Sequence, residues 1–464
     1  MNVEGAASIL NSTFRDPQGR LHQDGERILR EIFSEHADQV IGWIKSPLAQ
    51  KWIAERRLIP TTILESKGDT WLEHERVFFP TYPWEWTPGQ WKAAGELTLD
   101  LCCESLENGL ILKDATPLNV LFSGPSPIFV DVLSFETQEK TSPIWIAYAQ
   151  FVRTFLLPIA AYGYLGWPLA AVQQRRDGYE PSDLAPWLTF RQRWTYPLRS
   201  LVAVPMLLEK KAGNEKADPF RHKREFSEEI SAATLRGTLK SSRKALRSLE
   251  LPEQTSRWSR YVETADHYGS EDHNAKEEFV RRCLEEIKPE KVLDIGANTG
   301  VYSRVAAKCG SDVVAWDPDV RASDLNWKRA YDEKLPILPL VADFARPTPS
   351  VGWRNSECSS LLSRAACRFD CVLMLGVLHH LLISDRIPLN EIVEQLWGIT
   401  KRWAVLEWVP KDDSQFIGLC RGREELYRHL DEAFFAEALQ TRFSTRSRQR
   451  LPNGRTLMLA EKIG

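Results

Sequence analysis

Residues 292–300 constrain the fold of this chain most, because they join a buried strand to a glycine-rich turn. The apolar run Val292–Ile295 is typical of a parallel strand that is covered on both faces. The turn that follows contains Gly296, Asn298 and Gly300. Two of these residues lack a Cβ, and asparagine tolerates left-handed backbone better than most side chains do. We therefore predict a turn in which the backbone closely approaches a ligand.

A second strand completes the unit that this turn begins. A helix is predicted over residues 301–309, followed by an apolar strand over 313–316 that ends at Asp317. Asp317 lies 21 residues after Gly296, a spacing that suits a carboxylate bound to a nucleoside ribose. The alternative is an ordinary strand–helix–strand unit whose tight turn binds no ligand.

An acidic residue followed by the turn resembles the first motif of the class I S-adenosylmethionine (SAM) dependent methyltransferases. The matching residues are Asp294, Gly296, Asn298 and Gly300, whereas the dinucleotide fingerprint G-x-G-x-x-G is not met. A carboxylate at 294 is unfavourable beside a pyrophosphate but suits SAM, which carries an ammonium group and a sulfonium and no phosphate. The resemblance implies that SAM is the cofactor and that Asp317 binds its ribose.

The segment from 256 to 464 has the order of elements that this family requires. The resemblance assigns Asp343, after a third strand, to the adenine amino group and Phe344 to packing on the adenine ring. We predict a Rossmann-like α/β domain with a seven-stranded sheet. Its remaining predicted elements are strands at 337–341, 370–375 and 403–406, a helix at 424–439, and a hairpin formed by 443–451 and 456–461 around Pro452-Asn453-Gly454.

Two adjacent histidines follow the fourth strand of this domain. His379 and His380 come at the carboxyl end of that strand, where ligands bind in open α/β sheets. Both are candidate catalytic residues, with His380 preferred, because histidine titrates in the range useful for a general base. Either could instead cap the next helix. The sequence around them, Leu-His-His-Leu-Leu, and the later Glu-Trp-Val-Pro also resemble bacterial methyltransferases of the nodulation type.

The N-terminal segment 1–208 resembles the protein-kinase-like phosphotransferases between Trp71 and Asp131. In that family an Asp orients the acceptor hydroxyl, and an Asn and a later Asp hold magnesium. The matching residues are Asp114, Asn119 and Asp131. The usual flanking residues and a glycine-rich phosphate loop are absent from the sequence, so we predict a mixed α+β kinase-like domain that is not catalytic. The alternatives are chance similarity and an active phosphotransferase. Residues before about 70 are expected to be mainly helical.

A basic helical linker is predicted over residues 209–255. Between Lys210 and Glu250, 11 Lys and Arg residues stand against 6 Asp and Glu residues. Five of the basic residues share one helical face, and leucines line the neighbouring face. The basic face suits an anionic substrate, a partner or weak contact with an acidic membrane surface, and the alternative is a solvated helix docked through its leucines. The five are Arg236, Lys240, Arg243, Lys244 and Arg247.

Composition limits the remaining classes of function. A formal charge of −3 gives no overall case for nucleic-acid binding. The eight cysteines form no C-x-x-C pair, which fits a reduced, cytoplasmic compartment and disfavours a metal site. The N-terminus resembles no secretion signal. The uncharged run 155–172 contains Pro158, Gly163, Gly166 and Pro168, so two short buried helices are predicted there rather than a membrane-spanning one.

Three functional hypotheses follow from the sequence. The first is a SAM-dependent methyltransferase that acts on an O or N acceptor and whose kinase-like domain positions the substrate. The second is a phosphotransferase with a sensory SAM domain, and the third is an adaptor without activity. The cofactor motifs favour the first, while a saccharide, a lipid-linked saccharide and a small metabolite all remain open as acceptors.

Overall fold

The computed structural model describes residues 8–9, 16–66, 69–212, 226–251 and 270–464. They divide into two compact units. The first lies within Met1–Phe122 and Ser126–Glu253, and the second within Ser123–Pro125 and Gln254–Gly464.

The first unit begins with an antiparallel sheet of five strands in the order β1-β2-β3-β5-β4. The expectation that residues before about 70 are mainly helical is therefore wrong. The overlooked signal is Asp24-Gly25, a hairpin dipeptide: Asp24 pairs with Arg27, and Gly25 has a φ of +57°. The strands are β1 (Ser8–Ile9), β2 (Gly19–Asp24), β3 (Arg27–Ile32), β4 (Thr61–Ser66) and β5 (Asp69–His74), with helices α1 (Ala37–Ile44) and α2 (Pro47–Ala54) between β3 and β4.

A long helix, α3 (Pro88–Glu107), follows this sheet. Thr87 caps its first turn by accepting a hydrogen bond from the backbone amide of Gln90 at 3.2 Å. Small strand pairs and further helices complete the unit. They are β6 (Leu110–Leu112), β7 (Val120–Ser123), β8 (Ser126–Phe129), β9 (Phe135–Thr137), α4 (Tyr148–Phe151), α5 (Leu157–Leu165), α6 (Pro181–Leu184), α7 (Phe190–Trp194), α8 (Val204–Ala212) and α9 (Glu228–Ser248).

The helix α9 belongs to the first unit and packs on α3, so the described part of the predicted linker is a docked element. Leu235, Leu239 and Leu246 are buried, as the leucine-docking alternative requires. On the basic face, Arg247 Nε donates to Glu96 at 2.8 Å, and Arg243 pairs with Asp100. Part of the positive charge is thus neutralised by α3.

The second unit contains the predicted seven-stranded sheet, in the order β12-β11-β10-β13-β14-β16-β15. The five strands from β12 to β14 in this order are parallel to one another. The last two positions are antiparallel pairings, because β16 pairs antiparallel with β14 on one side and with β15 on the other. The strands are β10 (Lys291–Ile295), β11 (Asp312–Asp317), β12 (Ile337–Val341), β13 (Phe369–Met374), β14 (Thr400–Trp408), β15 (Phe443–Arg450) and β16 (Thr456–Lys462).

Helices flank this sheet and a buried apolar core lies against it, centred on residues such as Val292, Leu373 and Val405. One predicted helix, over 424–439, is broken: a short 3-10 turn (Glu424–Tyr427) precedes the helix proper, which Asp431 caps. The helices are α10 (Ser270–Ile287), α11 (Val301–Lys308), α12 (Val320–Asp332), α13 (Leu361–Ala365), α14 (Leu378–Ile383), α15 (Leu389–Ile399), α16 (Ser414–Cys420) and α17 (Glu432–Gln440).

The apolar run 155–172 folds into short segments. Helix α5 ends at Gly166, which has a φ of +70°, and a 3-10 segment follows over Leu169–Gln174. Across the described ranges, the helices all fall short of the length and apolar character that crossing a bilayer requires. The eight cysteines are free thiols, and the described residues hold no cluster suited to a metal ion.

Candidate active site

The turn between β10 and α11 has a backbone conformation that few side chains permit. The φ angles of Gly296, Asn298 and Gly300 are +71°, +50° and +79°. A Cβ at Gly296 would lie 2.1 Å from Cγ2 of Val377, and a Cβ at Gly300 would lie 2.0 Å from Oδ1 of Asn326. Glycine is therefore required at both positions by backbone conformation and by close packing.

Asp317, the last residue of β11, is bonded directly to this turn. Its Oδ2 accepts from the backbone amide of Asn298 at 2.8 Å, and its Oδ1 accepts from the amide of Asp319 at 2.8 Å. Burial raises the pKa of Asp317 to about 6, although both hydrogen bonds oppose the shift. Each carboxylate oxygen can accept a further hydrogen bond, so the group can receive a pair of hydroxyls.

Asp294 supports the turn from within the sheet. Its side chain is buried, and Oδ2 accepts from Ser303 Oγ, on α11, at 2.6 Å. Burial raises the pKa of Asp294 to about 6, while Ser303 and the charge of Lys276 act in the opposite direction. This carboxylate therefore fixes α11 to β10 and adds negative charge below the turn.

A buried cluster of charged side chains lies at the carboxyl ends of the central strands. Lys276 Nζ, on α10, donates to Glu407 Oε2 at 2.5 Å, and Arg455 Nη1 approaches Glu407 Oε1 at 3.3 Å. Arg455 Nε also donates to Asp413 Oδ2 at 2.8 Å. Burial alone would raise the pKa of Glu407, but the charges of Lys276 and Arg455 outweigh this and hold it below its usual value. We name these four residues the ion cluster.

The ion cluster extends towards the glycine turn through Tyr302. Lys276 Nζ lies 4.9 Å from the centroid of the Tyr302 ring, within the range of a cation–π contact. Tyr302 is the second residue of α11, directly after the turn. Burial raises the pKa of Tyr302 above its ordinary value, so the phenol is neutral at physiological pH.

The sequence analysis did not select the ion cluster. Lone charged residues beside strongly apolar runs, such as Glu407 after Val405 and Leu406, are the signal that could have found it. The partner Arg455 comes from the hairpin turn before β16, which no local pattern connects to Lys276.

Two buried polar atoms near the turn have no hydrogen-bond partner within the described part of the chain. They are Oγ1 of Thr299 and Oδ1 of Asn326, both on side chains at most 2% exposed. An acidic turn with unpaired oxygens suits a ligand that brings hydroxyl donors and positive charge. These residues thus fit SAM better than a phosphate-bearing cofactor.

Residues 268–389 match the methyltransferase-domain family. The second unit is a SAM-dependent methyltransferase. The matched segment contains the glycine turn, Asp317, Asp343 and both histidines, and the predicted cofactor is confirmed.

Known proteins similar to this chain include a nodulation protein and several methyltransferases. Nodulation protein NoeA of Rhizobium meliloti (strain 1021) is 26% identical over 466 residues, which cover 97% of this chain and 95% of NoeA. The N-methyltransferase NodS of Bradyrhizobium japonicum WM9 is 13% identical with a TM-score of 0.32, and covers 42% of this chain and 98% of NodS. Magnesium protoporphyrin IX methyltransferase (ChlM) of Synechocystis PCC 6803, solved with S-adenosylhomocysteine (SAH), is 16% identical with a TM-score of 0.31, covering 46% of this chain and 90% of ChlM.

The two histidines of the methyltransferase unit occupy different environments. His379 is buried, and burial lowers its pKa well below the ordinary value, with the charge of His380 acting in the same direction. Its Nδ1 has no partner among the described residues. His380 is half-buried, and the two ring centroids are 4.2 Å apart. Buried His379 is therefore neutral at physiological pH, and His380 is the more accessible of the pair.

Asp343 and Phe344 follow β12 at the same edge of the sheet. Asp343 Oδ1 accepts from the amide of Ala345 at 2.8 Å, and Oδ2 accepts from Arg346 Nε at 3.0 Å. Phe344 is buried, and its carbonyl accepts from Gln395 Nε2 at 2.8 Å. Both oxygens of Asp343 thus have protein partners, as both oxygens of Asp317 do.

The residues singled out in the first unit lie close together. Asn119 Nδ2 donates to the carbonyl of Asp114 at 3.2 Å and to Ser134 Oγ at 3.3 Å. Asp131 accepts from Ser134 Oγ at 2.5 Å and from Arg30 Nη1 at 3.2 Å. Arg30 lies in β3 and is buried, so a fixed cation occupies the position beside Asp131.

Proposed function

We propose that this chain transfers the methyl group of SAM to an oxygen or nitrogen atom of a saccharide or small metabolite. The proposal rests on the hydrogen bond that the backbone amide of Asn298, in the glycine turn, donates to the carboxylate of Asp317. That bond fixes a buried carboxylate at the end of β11, where a ribose would lie in a cofactor seated on the turn.

Each cofactor residue proposed from the sequence has a role in binding SAM. Asp317 would accept hydrogen bonds from the two ribose hydroxyls, and the backbone of Gly296, Asn298 and Gly300 would allow close approach. The carboxylate of Asp294, below them, favours the positive charge of the bound cofactor. Asp343 and Phe344, on the neighbouring strand, would contact the adenine amino group and ring.

Bound SAM supplies an electrophilic methyl group on sulfur. The protein's task is then to align the acceptor with that methyl group and to exclude water. The ion cluster supports this alignment, because it holds α10 against the carboxyl ends of the strands through the pair Lys276–Glu407. Rigid positioning matters here, since a displacement of about 1 Å can reduce the rate about a hundredfold.

A hydroxyl acceptor also requires a base, and we assign this role to His380, with His379 as the alternative. His380 is the more accessible, while neutral His379 lies beside it and within the influence of Asp413 and Arg455. An imidazole that a bound acceptor hydroxyl can reach is suited to remove the proton of that hydroxyl. For an amine acceptor that is already deprotonated, neither histidine is needed.

Both units contribute to the proposed function. The alignment with NoeA spans 97% of this chain, so this relative contains counterparts of both units. We infer that the first unit recruits or positions the acceptor rather than catalysing a second reaction.

The second candidate is a kinase-like phosphotransferase, and the position of Arg30 speaks against activity. Arg30 Nη1 contacts both Asp131, at 3.2 Å, and Asp16, at 3.0 Å. A magnesium ion would have to displace this guanidinium from Asp131. We therefore propose that the kinase-like arrangement of Asp114, Asn119 and Asp131 is structural.

The deciding experiment is product analysis with isotopically labelled SAM and extracts fractionated into saccharides and small metabolites. Transfer of label to a saccharide or another small molecule supports the proposal, and its loss in Asp317→Ala assigns the transfer to this site. Binding of SAH without transfer of label to any fraction would instead favour a sensory role for the unit.

A further inference from the structure

An open aromatic cleft lies in the first unit, between the C-terminus of α5, the 3-10 segment Leu169–Gln174 and the turn Ala185–Trp187. Its cavity volume is about 320 Å³, at the lower end of the roughly 300–1,000 Å³ range of small-molecule clefts. The residues of the cleft that matter are Trp167, Gln174, Arg175, Tyr179, Asp183 and Trp187.

Three aromatic rings form the walls of the cleft at steep angles to one another. The ring of Trp167 lies 5.5 Å from Tyr179 with an interplanar angle of 59°, and 6.3 Å from Trp187 with an angle of 73°. Tyr179 is buried, whereas Trp187 is 69% exposed. An exposed tryptophan beside an open cleft offers a large apolar face to a ligand.

Polar groups with spare hydrogen-bonding capacity line the same cleft. Arg175 Nη1 pairs with Asp183 Oδ2 at 2.6 Å, and the guanidinium lies 5.6 Å from the centroid of the Tyr179 ring. Asp183 Oδ2 also accepts from the amide of Glu180 at 2.8 Å, and a carboxylate has the capacity to accept further hydrogen bonds. Gln174, exposed at the rim, adds an amide that both donates and accepts.

These features select one class of ligand. The charges of Arg175 and Asp183 cancel, so the cleft does not favour an anion. Its rings are far from parallel, so they cannot enclose a flat aromatic ligand on both faces. A sugar has apolar C–H faces that stack on aromatic rings, and its hydroxyls are at once donors and acceptors, as the mixed groups of the cleft require.

We propose that this cleft is a binding site for a neutral oligosaccharide. One sugar ring stacks on Trp187, and its hydroxyls form hydrogen bonds with Gln174 and the carboxylate of Asp183. The site is separate from the proposed methyl-transfer chemistry and does not depend on it. It gives the first unit a ligand of its own.

The test is titration of the full chain with maltotetraose, cellotetraose and chitotetraose, measured by calorimetry and by saturation transfer from protein to sugar protons in NMR spectra. We expect at least one of them to bind, and Trp187→Ala to weaken that binding at least about tenfold. Gln174→Ala should weaken it by a smaller factor. Trp194→Ala is the matched control, because Trp194 is a partly exposed tryptophan of the same unit that does not line the cleft.

Three results would overturn the assignment. They are no binding of any of these sugars, equal binding by wild type and Trp187→Ala, and equal losses in Trp187→Ala and Trp194→Ala. Binding to neutral phosphatidylcholine vesicles that depends on Trp187, without sugar binding, would identify a lipid surface instead and also overturn it. SAH titration of the same samples keeps this outcome distinct from failure of the proposed methyl transfer.

Discussion

Lys276 and Glu407 form an ion pair of 2.5 Å in which both side chains are buried. The pair joins the helix before the glycine turn to the fifth parallel strand. Its two members are separated by most of the methyltransferase unit in sequence, yet Lys276 also influences the charge state of Asp294 below the glycine turn.

Replacing one member of this pair should strongly destabilise the second unit. Glu407→Gln removes the carboxylate that pairs with the buried ammonium of Lys276, and breaking such a pair costs about 3–5 kcal/mol. Chemical denaturation of the full chain, followed by a probe in the second unit, measures the loss. Glu278→Gln, in the exposed pair with Arg281 on the same helix, is the control and should change stability by less than about 1 kcal/mol. Equal losses of unfolding free energy in the two variants would show that the buried pair stabilises the unit no more than an exposed pair does.

Asp317→Ala should weaken SAH binding by about 1.5–3 kcal/mol, the range for hydrogen bonds to a charged group. Calorimetry on the folded variant measures the change, and circular dichroism establishes that the fold is retained. Asp319→Ala offers a comparison, since it removes a nearby carboxylate that caps α12 instead of contacting Asn298. An unchanged affinity in Asp317→Ala would exclude this residue from the cofactor site.

SAH affinity should fall as the pH is lowered through about 6. The pKa of Asp317 is raised from 3.8 to about 6, so at pH 5 a proton must leave before the carboxylate can accept ribose hydroxyls. The expected loss between pH 7 and pH 5 is about tenfold for one such group. Asp317→Asn should lose this part of the pH dependence.

The same shift acts on stability with the opposite sign. Because the folded-state pKa is the higher one, the contribution of Asp317 to stability is fully present below its ordinary pKa of 3.8 and is lost as the pH rises through about 6. The difference in unfolding free energy between wild type and Asp317→Asn isolates this contribution from those of the histidines. A difference that grows in favour of wild type as the pH rises would contradict the assignment.

His380→Ala should lower turnover by about 10²–10⁴-fold with a hydroxyl acceptor, the usual contribution of a general base. SAH affinity should change little. His379→Ala should act mainly on stability, because its side chain is buried and its removal leaves a cavity. Steady-state kinetics and thermal melting of both variants distinguish the two roles, and equal turnover in His380→Ala would leave that residue with a packing role alone.

The full chain should show no ATP hydrolysis or phosphate transfer in the presence of magnesium, because the guanidinium of Arg30 is already hydrogen-bonded to the carboxylate of Asp131. Asp131→Asn should instead lower stability by about 1–3 kcal/mol, since a buried guanidinium loses one charged partner. Glu136→Gln, on the adjacent strand β9, is a control. Phosphate transfer that disappears in Asp114→Ala would make the phosphotransferase hypothesis the leading one.

The sequence predicted the structure best where a structural element leaves a pattern in neighbouring residues. The run from Val292 to Gly300 predicted the first strand and turn of the sheet, because burial on both faces and left-handed backbone each leave a local signature. The N-terminal sheet was missed because its strands are only partly buried, so Asp24-Gly25 was the main indication. The ion cluster could not be predicted, because the contact of Lys276 with Glu407 and Arg455 depends on strand order rather than on neighbouring residues.

The insertion of β16 between β14 and β15 has a consequence for how the protein is made. Arg455 precedes β16, and Lys276 emerges from the ribosome long before it. Until Arg455 and β16 are synthesised, β14 has an unpaired edge and Glu407 lacks one of its two cations. During translation the edge of β14 therefore remains unpaired until β16 has been synthesised, and such an edge can pair with other chains.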